Sequence, residues 1–214
     1  MLKLTLTVLA VLMIGLGITV LDSSKVEAAP PHDADRAMEL LEDLAAAPDP
    51  DAALMALSAE ELDLLRWATT PTGEEGSREY TEEGGGGAFG GSDDIPICNR
   101  HVREKYRTSP LGIQYLTYQS ATWWCRHDGE IYGSPSHSAW GRVHVLYKIT
   151  WKFGGNDYKS NGTSHNNTRH NDVAQGHFNN CLPPAPGLLP ICIRGWTVRI
   201  NKVQYAETGQ ETSW

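Results

Sequence analysis

The sequence predicts a small all-β domain, a disulfide-stapled β-sandwich or barrel, preceded by a short acidic α-helical leader. Residues 1–97 carry 5 basic and 19 acidic residues, whereas residues 98–214 carry 13 basic and 7 acidic residues. All four cysteines lie after residue 97, and so do the segments that alternate polar and apolar side chains. Such a change of charge and pattern predicts two regions of different structure and role.

The amino terminus has the pattern of an export signal. Lys3 precedes an uncharged run from Leu4 to Leu21, and small residues follow at Val26-x-Ala28. This order predicts a signal peptide over residues 1–28 and a secreted, extracellular protein. The alternative is an uncleaved anchor, because eighteen uncharged residues just reach the length that spans a bilayer.

Residues 29–70 have the pattern of an acidic helical pro-segment. The stretch 33–46 places apolar residues at i, i+3 and i+4 spacing, which predicts an amphipathic helix. Asp49 followed by Pro50 predicts a second helix start. Ser58-x-x-Glu61 is a capping box, which predicts a third helix that ends before Pro71.

Residues 71–94 are predicted to be a flexible linker, because they contain the glycine run Gly84–Gly87 and little apolar surface. Residues 95–214 are then the mature β domain with two disulfides. In its organisation alone, the chain resembles small secreted effectors such as toxins and inhibitors that are matured by proteolysis. The leader is expected to cover the basic domain in cis, or else to act only as a soluble spacer.

Four cysteines in an exported domain of this size predict two disulfides. Three pairings are possible, and we favour Cys98–Cys125 and Cys181–Cys192. The second pair flanks a proline-rich loop that reverses the chain, and the first ties the linker exit to a strand end. A structural zinc site is disfavoured because the sequence has no Cys-x-x-Cys spacing.

The clearest strand pattern runs over residues 142–153, where apolar residues occupy the odd positions and polar or basic residues most of the even ones. Residues 154–157 are expected to form the turn that follows. A second pattern begins at Trp196 and changes phase near Asn201-Lys202, which predicts a β-bulge. The stretch 112–125 is predicted to be a buried strand.

The even positions of the first pattern predict a basic binding face. It would consist of Arg142, His144, Lys148 and Lys152, extended by Arg194, Arg199 and Lys202 if the two strands are neighbours. Interleaved aromatic residues are candidates for stacking on a ligand: Trp123, Trp124, Tyr132, Trp140 and Tyr158.

We therefore expect the domain to bind an anionic extracellular partner. A cell-wall polymer or other polysaccharide, a membrane surface and an acidic protein patch fit this description, and no specific nucleic acid is predicted. The alternative is that the basic residues only make the protein soluble. Two glycosylation sequons begin at Asn161 and Asn166 and would matter only in a host with the machinery.

Catalytic and metal patterns are weaker. The spacing of His165, His170 and His177 matches no compact ligand motif, so no metal or cofactor is predicted. A small secreted hydrolase remains the alternative function. It would use His137 or His177 with Asp128 or Asp172 and a serine, although the sequence has no Gly-x-Ser-x-Gly elbow. The candidate serines are Ser134, Ser136, Ser138, Ser160 and Ser164. A two-carboxylate glycosidase could use Asp128 and Glu130, but these residues are nearly adjacent in a turn-like Asp-Gly-Glu and poorly placed to flank a glycosidic bond.

Overall fold

The computed structural model describes residues 33–72, 75–84 and 95–214, and this part of the chain is mostly β. The predicted signal peptide and the glycine run from Gly85 onward lie outside the described residues. Three helices come first: α1 (Ala34–Ala46), α2 (Pro50–Met55) and α3 (Ala59–Thr69). Within the described ranges, no helix has the length and apolar character needed to cross a membrane.

Two separate antiparallel sheets follow, each with its strands in chain order, so the architecture is sandwich-like and not a closed barrel. The first sheet contains β1 (Gly76–Gly84), β2 (Ile97–Thr108), β3 (Gln114–His127) and β4 (Glu130–Val143). The second contains β5 (Trp151–Ser164), β6 (Arg169–Leu182), β7 (Ile191–Tyr205) and β8 (Glu211–Ser213).

Tight turns set the register of the longer hairpins. Asp128 and Gly129 join β3 to β4 with φ values of 51° and 76°. Both residues are thus left-handed, as a two-residue hairpin turn requires, and Asp-Gly is a preferred pair for it.

Between the sheets, a side chain at position 176 would collide with Tyr118, because a Cβ there would lie 2.5 Å from the Tyr118 ring. Gly176 therefore allows the sheets to approach closely.

The predicted strand over residues 142–153 is wrong in its continuity. β4 ends at Val143, a short 3-10 helix covers Val145–Tyr147, and β5 begins at Trp151. The chain crosses from the first sheet to the second at this point. Val143, Tyr147 and Trp151 are all buried, whereas Val145 is 62% exposed. Apolar residues at every fourth position are compatible with a helical turn as well as with an alternating strand. The sequence pattern therefore could not distinguish the two structures.

Two further local predictions are also wrong. Residues 154–157 do not form a turn but lie inside β5, where the pairing with β6 has two irregularities. β7 has no bulge at Asn201-Lys202, because its pairing with β6 continues in register from Trp196 to Tyr205. The irregularity in β7 falls at Gly195, which lies between the paired Arg194 and Trp196.

Both predicted disulfides are confirmed. Cys98 is bonded to Cys125, and Cys181 is bonded to Cys192. In each pair the two cysteines lie directly opposite each other on adjacent strands, β2 with β3 and β6 with β7. Each sheet thus carries one covalent link between neighbouring strands.

The helices share one hydrophobic core with the sheets. Leu41, Leu44 and Leu65 are buried in the same cluster as Tyr115 and Trp151. The carbonyl of Thr69, at the end of α3, accepts hydrogen bonds from the Tyr115 hydroxyl at 3.2 Å and the Trp151 indole at 3.0 Å. The helix ends are capped by Asp33, Asp49 and the Ser58–Glu61 capping box.

Strand β1 falls inside the range 71–94 for which the sequence predicts a flexible linker. It pairs with β2 from Gly76–Tyr106 to Gly84–Cys98. The acidic residues at this part of the chain face basic residues of β2: Glu75 and Lys105 lie 2.9 Å apart, Glu79 and Arg103 2.8 Å, and Glu82 and Arg100 2.8 Å. The charge complementarity and backbone pairing place this segment in the sheet.

Candidate functional site

The basic residues predicted to bind a ligand do not form one patch. Arg142 is exposed on β4, whereas Lys152 and Arg199 are exposed on β5 and β7. His144 and Lys148 are exposed in the connection between the two sheets. The predicted positions therefore divide among the first sheet, the connection and the second sheet.

Lys202 is a correction to this prediction, because its side chain is buried. The residue is 1% exposed, and its Nζ donates to the carbonyl of His101 at 3.3 Å. Trp196, Val198 and Ile200 lie on the same inward face of β7, and Lys202 and Gln204 continue that face. The buried residues of β7 change from apolar to polar after Ile200, but they keep the same alternation along the strand. In the sequence this change of polarity resembles the change of phase that a bulge produces.

The solvent-facing side of the second sheet carries most of its exposed charge. Directly opposed residues on adjacent strands share a face of a sheet. One row is Lys152, Asn179 and Arg194, and another is Tyr158, Gln175 and Arg199. We call this surface the outer face. Its charged and titratable side chains are Lys152, Asp157, Arg169, His177, Arg194 and Arg199.

Asp157 is the one carboxylate among these outer-face side chains, and two neighbours neutralise it. Arg194 holds both of its oxygens at 3.1 Å, and the Nδ1 atom of His177 lies 2.7 Å from Oδ1. Desolvation alone would raise the pKa of Asp157, but the charges and hydrogen bonds of His177 and Arg194 hold it below its ordinary value. The cationic groups of Lys152, Arg169 and Arg199 are therefore not cancelled by it.

A second group of polar residues lies between the sheets and is buried. We call it the interior polar cluster. Cross-strand pairing places His101, Thr122 and His137 in one row of the first sheet. In the second sheet, Asp172 opposes Lys202 and His170 opposes Gln204. The cluster also contains Ser120, and its members are His101, Ser120, Thr122, His137, His170, Asp172, Lys202 and Gln204.

Three of these residues have the order of a nucleophile, a base and an orienting acid. The Ser120 hydroxyl lies 3.0 Å from Nε2 of His137, and Nδ1 of His137 lies 3.7 Å from Asp172. Ser120 was not among the candidate serines named from the sequence. The hydroxyl is inaccessible in this state, because Ser120 is 0% exposed in the middle of β3. Substrate would reach it only if the sheets separated.

Burial controls the protonation of the cluster. Desolvation lowers the pKa of His137, although the charge of Asp172 opposes the effect. Desolvation would raise the pKa of Asp172, but hydrogen bonds from His170 and Thr122 and the charge of Lys202 keep it low. Desolvation lowers the pKa of Lys202 to about 8, against the opposing charges of Asp172 and Glu211. His137 is therefore held neutral and Asp172 ionised near neutral pH.

The interior polar cluster contacts strand β1 through His101. Nε2 of His101 lies 2.5 Å from Oε1 of Glu79 on β1, and its Nδ1 lies 3.2 Å from Gln204. Hydrogen bonding by His101 and the charge of Arg103 contribute to a lowered pKa of Glu79, against the desolvation that would raise it. Strand β1 thus closes one side of the cluster with a charged contact.

A groove next to the helices contains two of the predicted binding residues. It has a volume of about 330 Å³, and its polar lining comes from Asp51 of α2 together with Lys148 and Lys152. Ala45, Pro50, Val145 and Ile149 complete the lining. The acidic helical segment therefore lies beside part of the predicted basic site.

The remaining histidines and carboxylates of the sequence patterns lie apart. His165 is in the exposed turn between β5 and β6, His170 is buried, and His177 is on the outer face. His170 and His177 are on opposite faces of β6 because they lie seven positions apart, an odd number. In the described part of the chain, no three His, Cys, Asp or Glu residues are arranged to hold a metal ion.

Of the aromatic residues suggested for stacking, Tyr158 is 51% exposed on the outer face. Trp123 and Tyr132 are exposed on β3 and β4, whereas Trp124 is buried at 1% exposure. The indole of Trp124 donates to Glu211 at 2.6 Å, so it is not available to a ligand.

Comparison with known proteins finds no matching family model, curated protein or solved structure.

Proposed function

We propose that this chain is a secreted β-sandwich-like module that binds an anionic extracellular target through its outer face. The observation that carries the proposal is the charge of that face. It presents Lys152, Arg169 and Arg199, while its single carboxylate, Asp157, is held by Arg194 and His177. Tyr158 and the amides of Gln175 and Asn179 stand between the cations.

The chemistry of this face suits a repeated anionic group on a polymer. Arginine and lysine attract sulfate, phosphate or carboxylate groups, and the interleaved amides and tyrosine can bond or stack on sugar rings. The two cross-strand disulfides support the exported localisation that we propose, since disulfides persist in oxidising compartments. The target class is a cell-wall polymer or an acidic polysaccharide in preference to a small molecule.

The helical segment 29–70 is proposed to act in cis as a pro-segment. Asp51 shares a groove with Lys148 and Lys152, which supports a role in covering part of the basic surface. The outer face itself carries Arg199, which is exposed on β7. Because the helices share a hydrophobic core with the sheets, cleavage of the chain alone would leave the groove covered, and maturation would require the segment to leave that core.

The test compares two double variants of the unit His32–Trp214, which is compact and contains both disulfides. Lys152→Gln with Arg199→Gln removes two outer-face cations. Arg36→Gln with Arg78→Gln removes two exposed cations elsewhere. On immobilised dextran sulfate, we expect the outer-face variant to elute at clearly lower salt than the control, because exposed charge attraction is screened by salt. Equal elution of the two variants would contradict the proposal.

A second candidate is the small secreted hydrolase, favoured by the 3.0 Å contact between Ser120 and His137. It requires the sheets to open, since both side chains are buried. A serine-reactive phosphonate that labels Ser120 in the folded protein, and fails to label the His137→Ala variant, would support hydrolysis over binding. An unlabelled folded protein is the result expected for the binding module.

A further inference from the structure

The hairpin between β6 and β7 ends in an unusual apolar segment. From Leu182 to Ile193 the sequence has no charged residue and four prolines. We call this segment the hairpin tip. Its large aliphatic residues are exposed to solvent: Leu188 is 51% exposed, Leu189 70%, Ile191 57% and Ile193 64%.

The part of β7 that leads out of the tip is not covered by the first sheet. In β7, every residue from Ile191 to Gly195 is exposed, so neither face of the strand is covered there. The same strand becomes alternately buried from Trp196 onward, where the two sheets pack together. Isolated exposed aliphatic residues are common, but four within six positions at the end of one hairpin form a surface that favours removal from water.

Few backbone N–H groups of the tip lack a hydrogen-bond partner. Pro183, Pro184, Pro186 and Pro190 have no N–H group to desolvate. The N–H of Gly187 donates to Met55 at 3.0 Å, and that of Leu188 donates to Ala185 at 3.2 Å. Half of the eight residues from Pro183 to Pro190 thus lack a donor, and two more donors are satisfied inside the protein. Unpaired N–H and C=O groups both cost free energy in lipid, and the prolines remove the N–H part of that cost.

The tip is also held in one position at its base. The Cys181–Cys192 disulfide closes it, and Arg66 of α3 donates to the carbonyls of Pro183 and Pro184 at 3.1 and 2.8 Å. A rigid apolar loop loses little conformational entropy when it binds, which favours association.

Cations stand where the apolar segment ends. Arg194 follows Ile193 directly; its side chain is 53% exposed and forms an ion pair with Asp157. The side chain of Arg66 is 40% exposed and forms an ion pair with Asp63. Aliphatic residues at the tip with arginines at the base match the order of acyl chains and phosphates in a lipid leaflet. A protein partner would be expected to meet polar groups at about one hydrogen bond per 100–200 Å². The tip offers few such groups.

We propose that the hairpin tip inserts into the interfacial region of a lipid bilayer. Leu188, Leu189, Ile191 and Ile193 enter the boundary of the acyl chains, while Arg66 and Arg194 remain at the level of the phosphates. This role goes beyond the binding of an anionic target, because it uses a different surface and a different force. Neutral lipid is sufficient for it.

The experiment measures binding of the unit His32–Trp214 to phosphatidylcholine vesicles by sedimentation. This unit omits the apolar segment Leu4–Leu21, which would partition into lipid by itself. The test variant is Leu188→Ser with Leu189→Ser. The control is Ile97→Ser with Val145→Ser, which removes two aliphatic side chains that are 53% and 62% exposed elsewhere.

We expect the tip variant to bind neutral vesicles at least tenfold more weakly than the parent, and the control to bind like the parent. Circular dichroism of each variant confirms that it is folded. The proposal is overturned if the parent does not bind neutral vesicles, or if both variants lose binding equally. Binding only to vesicles that contain phosphatidylglycerol, with no loss in the tip variant, would also overturn it, while leaving the outer face as the anion-binding surface.

Discussion

At the scale of single residues, burial decides which charged side chains can meet a partner. Lys202 and Arg199 belong to the same basic segment of sequence, yet Lys202 is buried and Arg199 is exposed. Their separation of three positions places them on opposite faces of β7. The polar residues that bury Lys202 lie on other strands, so its position follows from tertiary pairing and could not be deduced from its neighbours in sequence.

Lys202 should make stability depend on alkaline pH. Its pKa is about 8 when folded, against 10.5 as the ordinary value. Between these values the unfolded chain binds a proton that the folded chain does not, so stability rises with pH. Relative to Lys202→Met, the parent should gain about 3 kcal/mol of unfolding free energy from pH 8 to 10.5. Urea unfolding at several pH values measures this, and a constant difference would show that Lys202 is not desolvated.

Trp151 and Lys148 lie three residues apart and should respond very differently to truncation. Trp151 is 2% exposed in the shared core, whereas Lys148 is exposed. Trp151→Ala should cost about 3–5 kcal/mol of stability through lost burial and the cavity that remains. Lys148→Ala should change stability by less than about 0.5 kcal/mol. Denaturant unfolding distinguishes them, and a larger loss for Lys148 would mean that this connection is packed differently.

At the scale of elements, the features that the sequence predicted correctly are those that depend on residues close together along the chain. The disulfide pairs follow from sequence because each links strands that are neighbours along the chain. The capping box at Ser58 is present because it satisfies the backbone donors of its own helix. The break between β4 and β5 was missed, because the need for Tyr147 to reach the core beside Tyr115 is a tertiary constraint.

The outer face was only partly predictable for the same reason. Lys152, Arg194 and Arg199 were identified as basic strand residues, but the contribution of Asp157 and His177 depends on which strands pair. The interior polar cluster left one trace in the sequence of β6. His170 and Asp172 occupy alternate positions of that strand, as residues on one face of a sheet do. Such a pattern does not reveal which face is inside when both faces are polar.

Loss of either disulfide should destabilise its hairpin. Replacing both cysteines of one pair with serine should cost about 2–4 kcal/mol, chiefly because the unfolded chain is then less restricted. The Cys98–Cys125 pair spans 27 positions and the Cys181–Cys192 pair spans 11. The longer loop should therefore give the larger loss, by about 1 kcal/mol or less. Chemical unfolding of the two double variants measures this, and the reverse order would indicate strain in the first pair.

At the scale of the whole molecule, the acidic and basic halves meet through β1 and a shared apolar core. Glu75, Glu79 and Glu82 pair with the basic side chains of β2, and the leucines of the helices join the core of the sheets. The separation of charge in the sequence thus becomes a local neutralisation of the first sheet. The outer face of the second sheet has only Asp157 as an acidic partner among its named side chains and retains its positive charge.

Cutting the chain in the glycine run should not release the helical segment. A protease site engineered between residues 85 and 94 would leave β1 and the three helices on one fragment. Because these elements share a core and nine backbone pairs with the rest, the fragments should co-elute in size-exclusion chromatography. Separation of the fragments without denaturant would show that the segment is a loosely tethered leader.

The most direct test of binding through the outer face is a titration of ¹⁵N-labelled His32–Trp214 with dextran sulfate, followed by NMR. The proposed function predicts that the largest amide shifts fall on β5–β7, around Lys152, Tyr158, Gln175 and Arg199, and that they shrink as salt is added. Shifts centred on the first sheet around Arg142, or spread evenly over all exposed basic residues, would contradict it.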